Sequence, residues 1–160
     1  MIVVFFILVA VFSLIIFLIF MVWGFLSVGP WVGTTRENLE LLFETLGKVR
    51  GRKLLDVGSG DGRVVFEAAR RSFDATGVEI NPSLYLISLA KAFMLKADGK
   101  AHFVRDNLWH CSFTPYDVIV CFVFPKSKSE IEEKFKKEGK AGAKLIFLKQ
   151  QKGLEVIAHE

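Results

Sequence analysis

The chain has 160 residues, a length that favours a single soluble domain. Hydrophobic residues make up 52% of the sequence, and 21 basic and 17 acidic side chains leave a net charge of +4. Because no basic run is interleaved with aromatic residues, a nucleic acid is not expected as the main partner. The two cysteines and three histidines show no metal-ligand spacing, so no metal site is predicted.

The N-terminal stretch is the most apolar part of the chain. Residues 1–28 contain no charged side chain and exceed the roughly 20 residues that a helix needs to cross a bilayer. A secretory signal would show a basic start, a shorter apolar stretch and a small-residue cleavage site, and none is visible. We therefore predict a transmembrane anchor over 1–28, a short linker over 29–33 and one domain over 34–160.

The charges around the anchor predict its orientation. No basic side chain precedes it, whereas Arg36, Lys48 and Arg50 follow it. The positive-inside rule then places the domain on the cytoplasmic side of a single-pass membrane protein. The linker over 29–33 spans at most about 17 Å, so the domain is expected to stay close to the lipid bilayer.

The segment after the linker predicts an amphipathic helix. Thr34, Thr35 and Glu37 follow a capping-box pattern, in which a threonine oxygen accepts a backbone N–H. One helical face is apolar, with Leu39, Leu42, Phe43 and Leu46. Gly47 or Gly51 is expected to end the helix, which covers the sheet edge or closes over a ligand.

Residues 53–71 predict a strand, a glycine-rich turn and a helix. The apolar strand 54–57 leads into the turn 58–62, and the helix after it carries apolar residues at helical spacing. Three glycines in the turn allow backbone angles closed to other residues and leave no Cβ between the backbone and a ligand. This arrangement is the first half of a nucleoside-binding α/β unit.

An acid stands at the end of the next predicted strand, 74–80. Glu79 lies where a carboxylate can accept hydrogen bonds from a ribose. The glycines are spaced G-x-G-x-G, at positions 58, 60 and 62, and not G-x-G-x-x-G as in dinucleotide sites. An oxidoreductase that uses a dinucleotide is therefore the least favoured function.

Strands and helices alternate along the rest of the chain. Asn81 and Pro82 predict the start of a helix that runs to about Lys96, with Tyr85 and Phe93 as packing residues. The remaining predicted elements are strands over 101–106, 116–123, 143–148 and 154–158, and a helix over 126–138 with a capping box at Ser129 and Glu132. This order predicts an α/β fold, with a mostly parallel sheet and helices on both faces.

Two polar residues follow the third strand. The Asp106 carboxylate can accept a hydrogen bond from an exocyclic amine such as that of adenine, while Asn107 or the next backbone N–H meets a ring nitrogen. A turn-forming Asp-Asn pair accounts for the same residues equally well. Both interpretations stay open on these residues alone.

Together the motifs resemble those of one family. They are the hydrophobic N-terminus, P-W-V-G-T-T, D-V-G-S-G-D-G-R, G-V-E-I-N-P, D-N-L-W and a Phe-Pro after the fourth strand. The chain resembles the membrane-anchored protein lysine methyltransferases that include those of the ATP synthase c-subunit and the adenine nucleotide translocase. The resemblance implies a Rossmann-like methyltransferase sheet, S-adenosyl-L-methionine as cofactor, and N-methylation of an accessible lysine on a membrane protein.

The resemblance also implies residue roles. Asp56, Gly58, Gly60 and Glu79 would hold the methionyl and ribose parts of the cofactor, and Asp106 the adenine. The full candidate cofactor site comprises Thr34, Thr35, Asp56, Gly58, Ser59, Gly60, Asp61, Gly62, Glu79, Ile80, Asn81, Asp106, Asn107 and Leu108. The candidate substrate residues are Phe122, Phe124 and Pro125. No residue is assigned as a general base; Asp61 and Tyr116 are the candidates, and their places in a turn and at a strand start explain them as well.

Two features depart from that class of enzymes. No Asn-Pro-Pro-Tyr follows the fourth strand, where Phe122-Val-Phe-Pro125 stands instead, which disfavours the amide and exocyclic-amine methyltransferases that use that motif. The chain stops soon after the fifth strand, where the class adds a helix and an antiparallel hairpin, so a C-terminally shortened sheet is expected. No Arg- and Ser-rich transit peptide is visible, so the location of the eukaryotic members, the mitochondrial inner membrane, is not assigned to this chain. The alternative functions are methylation of a lipid head group or small amine, and a truncated module that binds the cofactor without catalysis.

Overall fold

The computed structural model describes residues 2–26, 33–47, 51–97, 99–122, 125–149 and 151–159. The chain divides into two compact units, Met1–Trp31 and Val32–Glu160. The described part of the first unit is helix α1, Ile2–Leu26, which is long and apolar enough to cross a membrane. Its window Ile2–Ile19 has a mean hydropathy of 3.5 and is 0% buried. Most of the predicted linker over 29–33 lies outside the described residues.

The second unit alternates strands and helices as the sequence predicts. Its elements are α2 (Arg36–Leu46), β1 (Lys53–Val57), α3 (Arg63–Arg70), β2 (Asp74–Glu79), α4 (Pro82–Leu95), β3 (Ala101–Arg105), a 3₁₀ turn (Leu108–His110), β4 (Val118–Cys121), α5 (Pro125–Glu138), β5 (Lys144–Leu148) and β6 (Leu154–Ala158). The six strands form one sheet in the order β3-β2-β1-β4-β5-β6. Strands β1 to β5 are parallel, and β6 pairs antiparallel with β5.

Strand β1 lies where the strand order reverses. It pairs with β2 on one side and with β4 on the other. The helices that follow β1 and β4 pack on opposite faces of the sheet. In open α/β sheets, ligands bind at the carboxyl ends of the strands at such a reversal. The predicted glycine turn and Glu79 both lie at this edge.

The sheet separates two hydrophobic clusters because alternate strand residues point to opposite faces. Leu54 packs with residues of α2 and α3 on one face. Leu55 packs on the other face with Ile131 and Phe135 of α5. The prediction of helices on both faces is therefore confirmed.

Three local predictions meet different outcomes. Gly47 ends α2 with a left-handed φ of 69°, and its N–H donates to the Phe43 carbonyl, as expected of a C-terminal glycine. The capping box at Ser129 is wrong, because α5 begins at Pro125 and Ser129 lies inside the helix. Phe93 is not a packing residue, since it is 88% exposed.

Candidate functional site

The glycine turn after β1 needs all three of its glycines. Gly58, Gly60 and Gly62 have φ values of 75°, 56° and 82°, in the left-handed region that favours glycine. A Cβ added to Gly58 would have nothing within 4 Å, so this side of the turn is open to a ligand. A Cβ added to Gly62 would lie 2.7 Å from the Phe103 ring, so this glycine allows close packing against the sheet.

Glu79 connects the turn to the start of α4. Its side chain is buried at 5% exposure. One carboxylate oxygen, Oε2, accepts the Gly60 N–H at 2.8 Å, and Oε1 accepts the Asn81 N–H at 2.8 Å. Asn81 caps α4 by accepting the N–H groups of Ser83 and Leu84. Each Glu79 oxygen has a second lone pair, so the carboxylate can still accept a ligand hydroxyl.

Two largely buried polar groups at this edge have no hydrogen-bond partner among the residues that the structure describes. Asp56, the next-to-last residue of β1, is 5% exposed, and its carboxylate takes no hydrogen bond from the described residues. Burial raises the pKa of Asp56 to about 8, and the negative charges of Glu79 and Asp61 add to the shift. The Ser59 hydroxyl is also buried and has no partner among the described residues. Because buried polar groups are normally hydrogen-bonded, the Ser59 hydroxyl favours a polar ligand here, and the adjacent Asp56 carboxylate is available to the same ligand.

An ion-pair network joins the turn to the segment before α2. The Asp61 carboxylate accepts from Arg63 Nε at 2.9 Å and from Lys91 Nζ at 2.6 Å. Burial alone would raise the pKa of Asp61, but the hydrogen bonds from Arg63 and Lys91 lower it overall. Arg63 Nη1 also donates to the Thr34 carbonyl at 2.8 Å. Asp61 is thus held ionised with both oxygens engaged, which is unfavourable for a general base.

Helix α2 fixes the position of that segment. Thr35 is the N-cap, and its hydroxyl accepts the Asn38 N–H at 3.3 Å. The Asn38 side chain donates to the Lys149 carbonyl at 2.8 Å and accepts the Gly153 N–H at 2.9 Å. Thr34 is buried beside these contacts at 8% exposure. The predicted Thr34 and Thr35 therefore lie on a segment that is bound to the sheet at one end and to Arg63 at the other.

The residues after β3 form a compact turn. Asp106 Oδ1 accepts the Asn107 N–H at 2.7 Å and lies 3.1 Å from His110 Nδ1. The backbone hydrogen bond and then His110 lower the pKa of Asp106. The Asn107 side chain accepts the Trp109 N–H and so caps the 3₁₀ turn that begins at Leu108. Asp106 Oδ2 takes no hydrogen bond from the described residues, so the turn and adenine interpretations are both compatible with this geometry.

The candidate substrate residues are not assembled into a site. Phe122 is half-buried and packs against the cluster that contains Leu54. Phe124 lies outside the described residues, and Pro125 is the first residue of α5. Tyr116 is half-buried against the opposite cluster. Among the remaining cofactor candidates, Ile80 is 50% exposed at the mouth of the turn.

Sequence reasoning missed three residues that organise this edge, namely Arg63, Lys91 and Asn38. Arg63 follows Gly62 directly in the motif D-V-G-S-G-D-G-R, and that adjacency was the available signal. Lys91 and Asn38 act on residues that are 30 and more than 100 positions away. No local sequence pattern predicts hydrogen bonds between residues so far apart in the chain.

The motifs and the fold agree with one protein family. The sequence model of the ANTKMT methyltransferase domain matches residues 56–149, which is more than half of the chain. The chain belongs to the ANTKMT methyltransferase family. The resemblance inferred from the motifs is therefore confirmed.

Relatives of the chain are named as lysine methyltransferases. The ATP synthase c-subunit lysine N-methyltransferase of Mus musculus is 37% identical over 117 residues, covering 73% of this chain and 47% of that protein. The adenine nucleotide translocase lysine N-methyltransferase of Mus musculus is 32% identical over 122 residues, covering 73% and 51%. A protein-lysine N-methyltransferase of Saccharolobus islandicus is 27% identical over 120 residues, covering 73% and 74%. The chain spans about half the length of the two mouse proteins.

Solved structures give the same fold at low sequence identity. An RNA methyltransferase from Salinibacter ruber in complex with S-adenosyl-L-homocysteine has a TM-score of 0.69 at 22% identity, covering 72% of this chain and 76% of that chain. A methyltransferase from Geobacter sulfurreducens, also with S-adenosyl-L-homocysteine, has a TM-score of 0.64 at 19% identity, covering 76% and 51%. The Rossmann-like methyltransferase fold of this family is thus confirmed.

Proposed function

We propose that this chain is a membrane-anchored, S-adenosyl-L-methionine-dependent methyltransferase that modifies a lysine of a membrane protein. The single observation that supports it best is the match of residues 56–149 to the ANTKMT methyltransferase family model. The glycine turn in this range carries a buried hydroxyl, that of Ser59, with no partner among the described residues. Asp56 and Ser59 need hydrogen-bond partners, and the open side of Gly58 leaves room for them.

The residues at the carboxyl edge of the sheet fit the cofactor. Glu79 would accept the ribose hydroxyls, and Asp106 Oδ2 the adenine amine. Asp56 would accept a hydrogen bond from the cationic ammonium of the methionyl part. This bond would give the carboxylate a donor and a positive charge beside it. When bound, the cofactor supplies a methyl group on a sulfonium centre that an amine can displace.

The protein's own contribution is placement and exclusion of water. The left-handed turn and Glu79 would fix the cofactor, and the segment at Thr34, held by Arg63, would cover it. An acceptor lysine has a pKa of about 10.4 in water, and a site that excludes water would favour its neutral, nucleophilic form, with the proton released to solvent before the lysine enters. With Asp61 engaged in two ion pairs, desolvation of the lysine replaces a dedicated base in this proposal.

The acceptor class is supported from two sides. Two relatives are named for the ATP synthase c-subunit and for the adenine nucleotide translocase. The chain itself carries α1, which is long and apolar enough for a membrane span. The nine residues 27–35 between α1 and α2 reach at most about 30 Å. A domain tethered in this way, on the cytoplasmic side by the positive-inside rule, would encounter lysines near the lipid head groups.

Methyl transfer to native membranes tests the proposal. The full chain is incubated with membranes and methyl-labelled S-adenosyl-L-methionine, and the protein and lipid fractions are counted separately. We expect label in a protein band, as methyl-lysine after hydrolysis, and clearly less label with the Glu79→Ala variant at the same cofactor concentration. Label in the lipid extract would show that the acceptor is a lipid head group and not a lysine. If the chain binds the cofactor but neither fraction is labelled, it is a binding module without methyltransferase activity.

A further inference from the structure

Helix α4 exposes a face that a domain in water would normally cover. Leu86, Ile87, Phe93 and Met94 are exposed at 57%, 42%, 88% and 79%. Ser88 is the buried residue of this helix. Contiguous large apolar side chains in contact with solvent mark an interaction surface.

These side chains form one continuous stripe. Leu86, Ala90 and Phe93 are spaced i, i+4 and i+7, so they lie along one line of the helix. Ile87 and Met94 border this line on one side, and Leu89 borders it on the other. We call these six residues the α4 stripe; none of them carries a charge.

A basic groove adjoins the stripe. Between α3 and α4 lies a groove of about 910 Å³ whose apolar lining includes Phe66, Met94 and Leu95. The same groove is lined by Lys91, Lys96 and Lys100, by arginines of α3 and by Glu67. Arg70 pairs with Glu67, and Lys91 pairs with Asp61. Lys96 and Lys100 pair with no acid in the described part of the chain. Among the described residues, Lys96 and Lys100 therefore place unpaired positive charge beside the C-terminal end of the α4 stripe.

We propose that the α4 stripe inserts into the interface of an anionic lipid leaflet, as a second membrane contact beside α1. This inference rests on the membrane anchor of the proposed function. Exposed apolar side chains beside two lysines that form no ion pair among the described residues match a helix that lies in the head-group region. The stripe has none of the Trp, Tyr and Arg residues that dominate protein–protein hot spots, which disfavours a protein partner.

The contact gives the domain an orientation that a tether alone does not give. An interfacial helix sinks its apolar face about 5–10 Å into the boundary between head groups and acyl chains. Helix α4 begins at Pro82, directly after the Asn81 that Glu79 holds through its backbone N–H. With α4 in the interface, the glycine turn would open beside the head groups, where a membrane-protein lysine is presented.

Quenching by brominated lipids tests the contact in the full chain. The protein is reconstituted in nanodiscs of phosphatidylcholine and phosphatidylglycerol, with or without bromine on the acyl chains near the glycerol end. Phe93→Trp places an indole on the stripe, and Val156→Trp is the control on β6, at the opposite edge of the sheet from β3. Phe12→Trp, measured in a second set of nanodiscs with bromine near the end of the acyl chains, reports insertion of α1, because position 12 lies near the middle of the helix. The parent, with Trp23, Trp31 and Trp109, supplies the background to subtract.

We expect bromine to remove about half or more of the added fluorescence at position 93, and little at position 156. Equal quenching at positions 93 and 156 overturns the proposal, because contact would then not be specific to α4. An indole that stays bright at position 93 while position 12 is quenched also overturns it, and leaves the anchor intact. If the indole at position 12 is not quenched, α1 is not inserted in the bilayer, and both the proposed anchor and this inference are wrong. No methyl transfer is measured, so each outcome is separate from the test of the catalytic function.

Discussion

Glu79 has a structural role in the glycine turn and a proposed role in binding the cofactor. Its carboxylate accepts backbone N–H groups from Gly60 and Asn81, so it fixes the glycine turn and the start of α4 before any ligand binds. The same oxygens face the proposed ribose site. A loss of Glu79 therefore removes both a ligand contact and the arrangement that positions the turn.

Glu79→Ala should weaken binding of S-adenosyl-L-methionine by roughly 1–3 kcal/mol, because the ribose hydroxyls lose a charged acceptor and the turn loses its restraint. Isothermal titration calorimetry on the detergent-solubilised protein measures the change. Glu130→Ala is the matched control, since Glu130 is exposed on α5 and has no side-chain contact in the described structure. Unchanged affinity in a folded Glu79→Ala protein would remove Glu79 from the site.

The buried Asp56 predicts how stability depends on pH. Its pKa is raised by burial to about 8, whereas an unfolded aspartate titrates near 3.8. The folded state therefore holds an extra proton between these values, and stability must fall as the pH rises from about 4 to about 8. We expect the ligand-free chain to lose several kcal/mol of unfolding free energy over this window.

Asp56→Asn isolates this effect. The amide has nearly the same shape and no charge, so the variant should lose most of the pH dependence and be more stable than the parent at pH 8. Chemical unfolding at pH 5 and at pH 8 gives the comparison. If the unfolding free energies of the two proteins change equally between pH 5 and pH 8, a group other than Asp56 causes the pH dependence.

Asp106 allows the turn and adenine interpretations to be separated. In Asp106→Asn the retained oxygen can still accept the Asn107 N–H, while the oxygen that would face the adenine amine becomes a donor. Binding of S-adenosyl-L-homocysteine should weaken about tenfold, with unchanged thermal unfolding. If affinity is unchanged, Asp106 serves the turn alone.

At the scale of elements, the strand–turn–helix unit shows what the sequence could predict. Left-handed backbone angles at Gly58, Gly60 and Gly62 follow from local chemistry, and the acid after β2 follows from a fixed spacing. Both are visible in a linear pattern. The bond from Arg63 to the Thr34 carbonyl joins parts of the chain that are 29 positions apart, and folding alone brings them together.

Helix α4 shows the limit of periodicity as a signal. An apolar pattern predicts that Phe93 avoids water, but it does not say which surface covers it. In the described domain nothing does. Similarly, Ser129 and Glu132 satisfy the spacing of a capping box, yet the helix has already started at Pro125, where a fixed φ favours the first turn.

Gly62 and Gly99 form a matched pair that tests the packing of the turn. Both have left-handed φ values, 82° and 69°, so alanine strains the backbone at either position by about 1 kcal/mol. A Cβ at Gly62 would also lie 2.7 Å from Phe103, whereas one at Gly99 meets nothing within 4 Å. Urea unfolding should therefore show Gly62→Ala to be less stable than Gly99→Ala by a further 1–3 kcal/mol, approximately. Equal losses would contradict the packing role.

At the scale of the whole molecule, the chain joins an apolar helix to a domain with its own two-sided core. The sequence predicts both parts, because charge is absent from 1–28 and strands alternate with helices after it. The domain's proposed cofactor site uses no residue of α1. Cofactor binding and membrane attachment are therefore expected to be separable functions.

Deleting residues 1–28 should leave cofactor affinity intact and lower methylation of the native membrane acceptor at least about tenfold, because tethering raises the local concentration of substrates near the bilayer. Full-length and anchorless proteins are compared at equal concentration on the same membranes, with a soluble peptide of the acceptor as a second substrate. The peptide should be methylated equally by both, since it does not depend on the bilayer. A third protein, in which α1 is replaced by an unrelated apolar span of equal length, should recover the membrane rate. If the anchorless form modifies the same membrane lysine as fast as the full chain, surface restriction is wrong and α1 serves only to deliver the protein to its membrane.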